Sequence, residues 1–309
     1  MSSDFFSNLV ESLDSKNKCT VAIPIANDEA CAYAVCQAVK MGILQAVLIG
    51  DEERIKTMYA EVSGHENVKI LGETNEKAAC DLAVQQVREG NADILMKGNV
   101  STSTLLKAVL NSKSGIRKNP ILSHLTFFEL PNKPGLRILT DAAMCIAPDE
   151  ETMQHEIDNA AEAYKLFSSN PAKVSLLAAN EKVSEKLPST VLAKNVAEKM
   201  QNRNDIIVEG PISIDLSLSK ESAEIKKYKG KIQGDADIFI APRIETGNAL
   251  YKSLQYYIKA KMGGLVYGAR CPVVLTSRAD DNNTKFNSLL LGIVLWQRNS
   301  AEKSQQAQI

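Results

Sequence analysis

The chain has 309 residues, more than one domain usually holds, so about two domains are expected, each able to bury its own core. Lysine and arginine number 36 against 37 aspartates and glutamates, a balance that supplies no global field for nucleic acid or an anionic membrane surface. The amino-terminal MSSDFFSNLVESLDSK lacks the basic and apolar regions of a secretory signal, and no apolar run approaches the roughly 18 residues of a membrane span, so a cytoplasmic protein is expected.

Strand and helix signals alternate from the start. TVAIPIA leads into DEACAYAVCQAVKMG, AVLIG into DEERIKTMYAEV, NVKIL into NEKAACDLAVQQVREG, and ADILMKG into STSTLLKAVLN. Apolar strands separated by helical segments of about 10 to 15 residues are the pattern of parallel βαβ units. Between residues 121 and 143 the pattern changes: HLTFFEL and LRILTDAAM, joined by the turn-forming PNKPG, predict a hairpin. The stretch 148–168 then predicts a long helix with acidic residues in its first turn. A second alternating series follows, through KVSLLAA, PSTVLAKNVAEKMQ, DIIVEGP, SAEIKKYKG, ADIFIAP, NALYKSLQYYIKA, GLVYGA and PVVLT. Two α/β lobes are expected, with a boundary near Ala147. On periodicity alone the terminal helix could belong to either lobe.

Cys19, Cys31, Cys36, Cys80, Cys145 and Cys271 form no CxxC pair and read as buried free thiols. His65, His124 and His155 belong to no HExxH pattern or Cys/His cluster, so no metal site is expected. Nothing like GxSxG precedes a helix, which argues against a histidine-based nucleophilic triad. There is no GxGxxG after the first strand, where AIPIANDEA stands, and no GxxxxGK[ST].

In an open α/β fold ligands bind at the carboxyl ends of strands. MKGNVSTS places there Lys97 as a point charge, Gly98 for close backbone approach, and Ser101 and Thr102 at the start of a helix. A well-capped helix with a solvated lysine explains the same residues. Asp141 in LTDAAM could orient a polar group or merely make a turn. Glu245 and Asn248 in APRIETGN have equally ordinary structural explanations. In CPVVLTSRADDNNTKFNSLLLGIVLW an apolar strand stops at Ser277 and Arg278, with Asp280 and Asp281 just before an amphipathic helix. Free N–H groups and the positive end of the helix dipole favour an anion at such a junction, although an aspartate cap beside a solvated arginine would look the same.

Together, ADILMKGNVSTSTLLKAVL, SHLTFFELP, LTDAAMCIAPD, EGPISID, GDADIFIAPRIETGNALYKSL and CPVVLTSRADD resemble the phosphate acetyl/butaryl transferase family, in its butyryl branch. The resemblance runs in order from about Cys19 to Leu295. It implies a two-domain α/β fold like the isocitrate and isopropylmalate dehydrogenases, with mostly parallel sheets and an interdomain cleft. The first domain would be 1–147 with 278–309, the second 148–277. It implies transfer of a short acyl group, butyryl or branched-chain, from coenzyme A to phosphate, giving acyl phosphate.

The same resemblance puts phosphate on Arg278 and the reacting carbonyl near Ser277, with Asp280 as the acid/base or orienting carboxylate. Lys97, Gly98, Ser101, Thr102, Asp141, Glu245 and Asn248 would bind substrate. Coenzyme A is then substrate or product, with no tightly bound cofactor, and an acyl kinase would use the product. Relatives carry an asparagine where Cys145 stands, and the acetyl branch an aspartate where Thr284 stands. Phosphate acetyltransferase is the near alternative. A β-decarboxylating dehydrogenase and a non-catalytic coenzyme A-binding protein are more distant ones. Surplus apolar and aromatic residues in ALYKSLQYYIKAKMGGLVYG, like the resemblance, favour a homo-oligomer.

Overall fold

The computed structural model describes residues 4–277 and 280–306. In chain order the first elements are α1 (Phe5–Glu11), β1 (Cys19–Pro24), α2 (Glu29–Lys40), β2 (Leu44–Gly50), α3 (Glu52–Met58), β3 (Val68–Gly72), α4 (Glu76–Arg88), β4 (Ile94–Met96) and α5 (Thr102–Val109). The middle holds β5 (Ser123–Leu130), β6 (Lys133–Thr140), α6 (Glu150–Lys165), β7 (Ala172–Leu177), α7 (Pro188–Met200), β8 (Ile206–Ile212), α8 (Ile214–Leu218), α9 (Lys220–Ile225), β9 (Ile238–Ile240) and α10 (Ile244–Ser253). A π-helical turn, Leu254–Ile258, leads to β10 (Lys261–Tyr267), β11 (Val273–Val274) and α11 (Asn282–Gln306).

The βα rhythm forms for local reasons. Each of the first four crossover helices opens on a short polar side chain just past a strand. Asp28, Asp51, Asn75 and Ser101 accept the backbone N–H groups of Cys31, Arg54, Ala78 and Thr104. Each cap satisfies a donor the helix cannot, a contribution of about 1 kcal/mol. The inner strands β1 and β4 carry apolar runs rather than alternating ones: Val21, Ala22, Ile23, Ile94, Leu95 and Met96 have no exposed surface, whereas the edge strand β3 is only half-buried. Such runs suit parallel strands covered on both faces.

The chain divides into two compact units, 1–119 with 262–309, and 120–261. In the first, the strand order is β3-β2-β1-β4-β11-β10, parallel except for β10 against β11. Helix α11 packs on α2 within this unit. Val273 pairs with Leu95, and Leu95 with Ala22, so the carboxyl ends of β1, β4 and β11 come out side by side. The expected strand PVVLT is ladder-paired only at Val273 and Val274. The last link there is Lys97 N–H to the Val274 carbonyl at 2.9 Å.

In the second unit the order is β5-β6-β9-β7-β8. The β5–β6 hairpin is antiparallel and the remaining pairs are parallel. The hairpin turn is tighter than PNKPG suggested. Lys133 to Gly135 already belong to β6, and Glu129 accepts the Gly135 N–H at 3.0 Å. The long helix expected over 148–168 is α6, capped by Asp149.

Both unit boundaries fall earlier than the sequence boundaries at 147 and 277, and strand pairing gives the reason. Ile138 of β6 pairs with Ile238 of β9, which ties the hairpin to the second unit, while β11 pairs with β4 in the first. No helix among the described residues is long and apolar enough to cross a membrane.

Candidate active site

In the first unit, the loops behind β1, β4 and β11 gather several charged side chains. Lys97 is not solvated: it is buried, and its Nζ lies 3.3 Å from the Gly98 carbonyl. Gly98 does permit a close backbone approach, but to the chain itself. A Cβ there would lie 2.3 Å from the Pro24 carbonyl oxygen and 2.6 Å from that of Ile25, so the loop behind β4 seats directly on the loop behind β1. Asn99 N–H closes the same contact onto the Ile25 carbonyl at 2.9 Å.

Ser101 caps α5, as its sequence position suggested, while its own N–H donates to the Glu76 carboxylate at 2.6 Å. An anion from α4 therefore already sits at the start of α5. Thr102 is half-buried in the first turn of that helix.

Ser277 and Asp280 close a turn behind β11. Ser277 N–H donates to Asp280 Oδ2 at 2.7 Å, and Asp280 N–H donates to the Ser277 carbonyl at 3.2 Å. Asp280 is buried. The cap of α11 is Asp281, whose Oδ1 accepts the Thr284 N–H at 2.7 Å. The two aspartates thus divide the work, one shaping the turn and the other starting the helix. Arg278, expected to hold phosphate, lies outside the described residues. Thr284 is buried, and its carbonyl accepts the Ser288 hydroxyl at 2.7 Å.

Sequence reasoning missed the ion pair beside this turn. Lys285 of α11 donates to Asp28 Oδ1 at 2.7 Å, and the same oxygen accepts the Cys31 N–H at 2.8 Å. Burial alone would raise the Asp28 pKa, but these donors outweigh it and hold the carboxyl below its ordinary value. AIPIANDEA carried the one available signal, an aspartate where a helix follows a strand; nothing local marked Lys285 as its partner. With Lys97, the group sets two buried lysines against the carboxylates of Asp28 and the buried Asp280.

In the second unit, Asp141 follows β6 and is buried. Its Oδ1 accepts the N–H groups of Ala143 and Met144, both at 2.7 Å, and its Oδ2 that of His124, also at 2.7 Å. The carboxylate organises its own loop. Asn248 of α10 supports that loop from behind, donating from Nδ2 to the Ala142 carbonyl at 3.2 Å. Gly247 packs so closely that a Cβ would lie 2.0 Å from the Asp141 carbonyl oxygen. Glu245 is exposed beside Arg243, at 3.6 Å. Asp141 and Asn248 are therefore brought together around one loop, and Glu245 stands apart from them in solvent.

Cys145 and Glu156 adjoin the same loop. With Asp141 they bring one possible ligand atom each within 4.8 Å of one another. Glu156 is completely buried, with the Cys145 thiol beside its carboxyl. Burial, partly offset by the Cys145 thiol and reinforced by the Asp141 charge, pushes its carboxyl up to about 8. Glu156 is thus held largely in its neutral form near pH 7, which suits a proton-bearing neighbour of Asp141 better than a metal ligand.

Further along the same strand ends, a cavity of about 490 Å³ opens behind β7, β8 and β9. Leu177, Leu187, Ile214, Pro242 and Leu250 make it mainly apolar, with Arg243 and Asp215 as charged members of the lining. A mostly apolar pocket with few polar groups is the usual form of a small-molecule site.

Residues 57–293 match the family model described as phosphate acetyl/butaryl transferase. A probable phosphate butyryltransferase of Bacillus subtilis is 40% identical over 281 residues, spanning 90% of this chain and 93% of that protein. A phosphate butyryltransferase of Clostridium acetobutylicum is 38% identical over 295 residues, spanning 94% and 97%. Among solved structures, a branched-chain phosphotransacylase from Enterococcus faecalis matches with a TM-score of 0.82 at 36% identity, covering 90% of this chain and 99% of that one.

Proposed function

Because the chain belongs to the phosphate acetyl/butaryl transferase family, we propose that it moves a short acyl group between coenzyme A and phosphate. A phosphate oxygen attacks the thioester carbonyl, the C–S bond breaks, and acyl phosphate and coenzyme A leave, the thiolate taking up the proton lost by phosphate; in reverse, the thiol sulfur attacks the carbonyl of acyl phosphate, the acyl C–O bond breaks, and phosphate leaves with the thiol proton. The names of the relatives favour butyryl or a branched-chain acyl group, with acetyl as the alternative. The apolar cavity behind β7, β8 and β9 offers a place for an apolar portion of such a thioester. Coenzyme A serves as substrate or product, and an acyl kinase is the expected consumer of the acyl phosphate.

The observation that carries the assignment of residues is the Ser277–Asp280 turn at the head of α11, beside two buried lysines. In this reading the arginine between them, Arg278, holds phosphate through its planar fork, and Ser277 lies near the reacting carbonyl. Asp280 fixes the turn, and Lys97 adds charge that favours the anionic tetrahedral intermediate. Asp141 and Asn248 order the loop that meets substrate in the second unit, with Gly98, Ser101, Thr102 and Glu245 as further binding positions. Transfer is direct, in a ternary complex that supplies proximity rather than a covalent intermediate. The isocitrate and isopropylmalate dehydrogenase-like arrangement of the two units belongs to the same reading.

The protein is proposed to work as a homo-oligomer through the π-helical turn after α10, where Tyr257 is 88% exposed and Tyr256 and Ile258 flank it in solvent. Aromatic residues left in solvent this way are typical of contacts between subunits. Sedimentation that finds only monomer at micromolar concentration removes that part of the proposal.

The deciding experiment follows release of coenzyme A from acyl-CoAs, acetyl through valeryl, with and without phosphate. Release must require phosphate, and Arg278→Ala should lower kcat by on the order of 10² to 10³ fold and raise the phosphate KM. Thioester cleavage that ignores phosphate defeats the transferase reading. Unchanged phosphate dependence in a folded Arg278→Ala protein removes that residue from the mechanism.

A further inference from the structure

The strands of the first unit have a second, cation-rich end. Arg88 closes α4 just ahead of β4, Arg270 precedes β11, and Lys113 and Arg117 lie in the loop that follows α5. All four side chains line one cavity of about 520 Å³, and no carboxylate shares the lining. Among the described residues none of the four side chains has an ion-pair or hydrogen-bond partner. Like charges converging without counter-charge repel one another, so such a cluster favours an anion.

The loop that presents two of these cations is preformed. Asn111 Oδ1 accepts the N–H groups of Lys113 at 2.9 Å and Ser114 at 3.0 Å, and Ile116 N–H returns to the Val109 carbonyl at 2.9 Å. Gly115 leaves no room for a side chain, since a Cβ would lie 2.4 Å from the carbonyl oxygens of Asn111 and Val109. Arg270 N–H ties the β11 approach to the same loop, at 2.8 Å from the Ile116 carbonyl. Little ordering is left for a ligand to impose on the backbone.

A smaller cavity, of about 270 Å³, shares Arg270 with the first. Its lining differs in kind, with the aromatic rings of Trp296 and Tyr267 beside Pro272 and the carboxylate of Asp93. Asp93 already accepts the Thr20 N–H at 2.9 Å and the Trp296 indole, and a carboxylate has further lone pairs for an exocyclic amino group. One cavity thus suits a chain of phosphates, and the other a flat base.

We propose that these two neighbouring cavities, which share Arg270, are a nucleotide site, taking a nucleoside di- or triphosphate with its phosphates among Arg88, Lys113, Arg117 and Arg270 and its base beside Trp296 and Tyr267. The site lies at the amino ends of β4 and β11, whereas Lys97 and Ser277 lie beyond their carboxyl ends, so it is separate from the candidate active site. The same chemistry is offered by a free nucleotide and by the phosphorylated adenosine end of a coenzyme A molecule.

Trp296 is the single tryptophan of the chain and reports on the site directly. ATP and desulfo-coenzyme A should each be titrated against the whole enzyme while its fluorescence is followed, with inorganic tripolyphosphate as the phosphate-only probe. Saturable quenching is expected from at least one of the two nucleotides, weakening as salt is raised. Arg117→Ala and Arg270→Ala should each weaken it by about tenfold or more while leaving the phosphate KM unchanged, the loss expected for one charge-assisted contact. Quenching by ATP identifies a free nucleotide as the ligand; quenching by desulfo-coenzyme A alone identifies the coenzyme. No quenching by either, quenching that the arginine variants do not alter, or tripolyphosphate binding as tightly as the nucleotides would overturn the proposal.

Discussion

Lys285 and Asp28, 257 residues apart in sequence, form an ion pair at 2.7 Å that fastens the terminal helix to the loop behind β1. The lysine side chain is only 3% exposed, and among the described residues Asp28 is the carboxylate that pairs with it. Removing one member of a buried pair leaves the other uncompensated, at a cost on the order of 3 kcal/mol. Lys285→Met should therefore lower the urea midpoint at pH 7. Asp28→Asn should do so as well, and the double variant should lose less than the sum. The Asp28 pKa is lowered in the fold, so its contribution is present above the unfolded carboxylate pKa and is lost as pH falls through the folded value. The penalty of Lys285→Met should accordingly shrink as pH falls below the ordinary aspartate range.

Glu156 has the opposite sign. Its folded carboxyl titrates near 8, above the unfolded value, so between the two the folded state binds the extra proton and stability falls as pH rises. Glu156→Gln keeps the shape and removes the ionisation. It should match the wild type near pH 4, below the unfolded value, and exceed it at pH 8 by on the order of 4 kcal/mol. Equal pH dependence of the two proteins in denaturant melts would show that this carboxyl is not held neutral.

Asp280 accepts the Ser277 N–H, and that contact needs an oxygen rather than a charge. Asp280→Asn should retain within about tenfold of the wild-type kcat, and Asp280→Ala should lose about a hundredfold as the turn loosens. An asparagine variant as inactive as the alanine one would make the carboxylate charge essential and assign Asp280 the proton transfer.

The cysteines should be dispensable for chemistry. Cys271 is buried, and burial pushes its thiol up to about 12; burial and the neighbouring Glu156 and Asp141 raise that of Cys145 further. A nucleophilic cysteine needs the opposite shift. Cys145→Ser and Cys271→Ser should each keep most turnover, and no acylated protein should accumulate by mass spectrometry. A stable acyl adduct on either thiol would replace direct transfer with a covalent route.

Much of the architecture is readable along the chain because its causes are local. The caps Asp28, Asp51, Asn75 and Ser101 act within three residues of themselves, and an apolar run such as that of β1 declares a covered strand without reference to its partners. The motif order from MKGNVSTS to LTSRADD likewise points to the family, and the matches to known proteins agree. Lys97 illustrates where local reading stops. Its neighbours are compatible with a solvated side chain, and its burial follows from the register of β4 against β1 and β11.

The sequence by itself determined the alternating α/β elements, the helix starts and the family, since each depends on residues a few positions apart. Only the tertiary structure decided which strands are neighbours, and with that where the units divide: pairing of β6 with β9 and of β11 with β4 moved both boundaries. It also decided which charges compensate one another, joining Lys285 to Asp28 and leaving Glu156 beside Asp141 and Cys145. Hydrogen bonding in a helix turn spans four residues, whereas ladder pairing and desolvated charge pairs join residues whose separation along the chain carries no information about their distance in space.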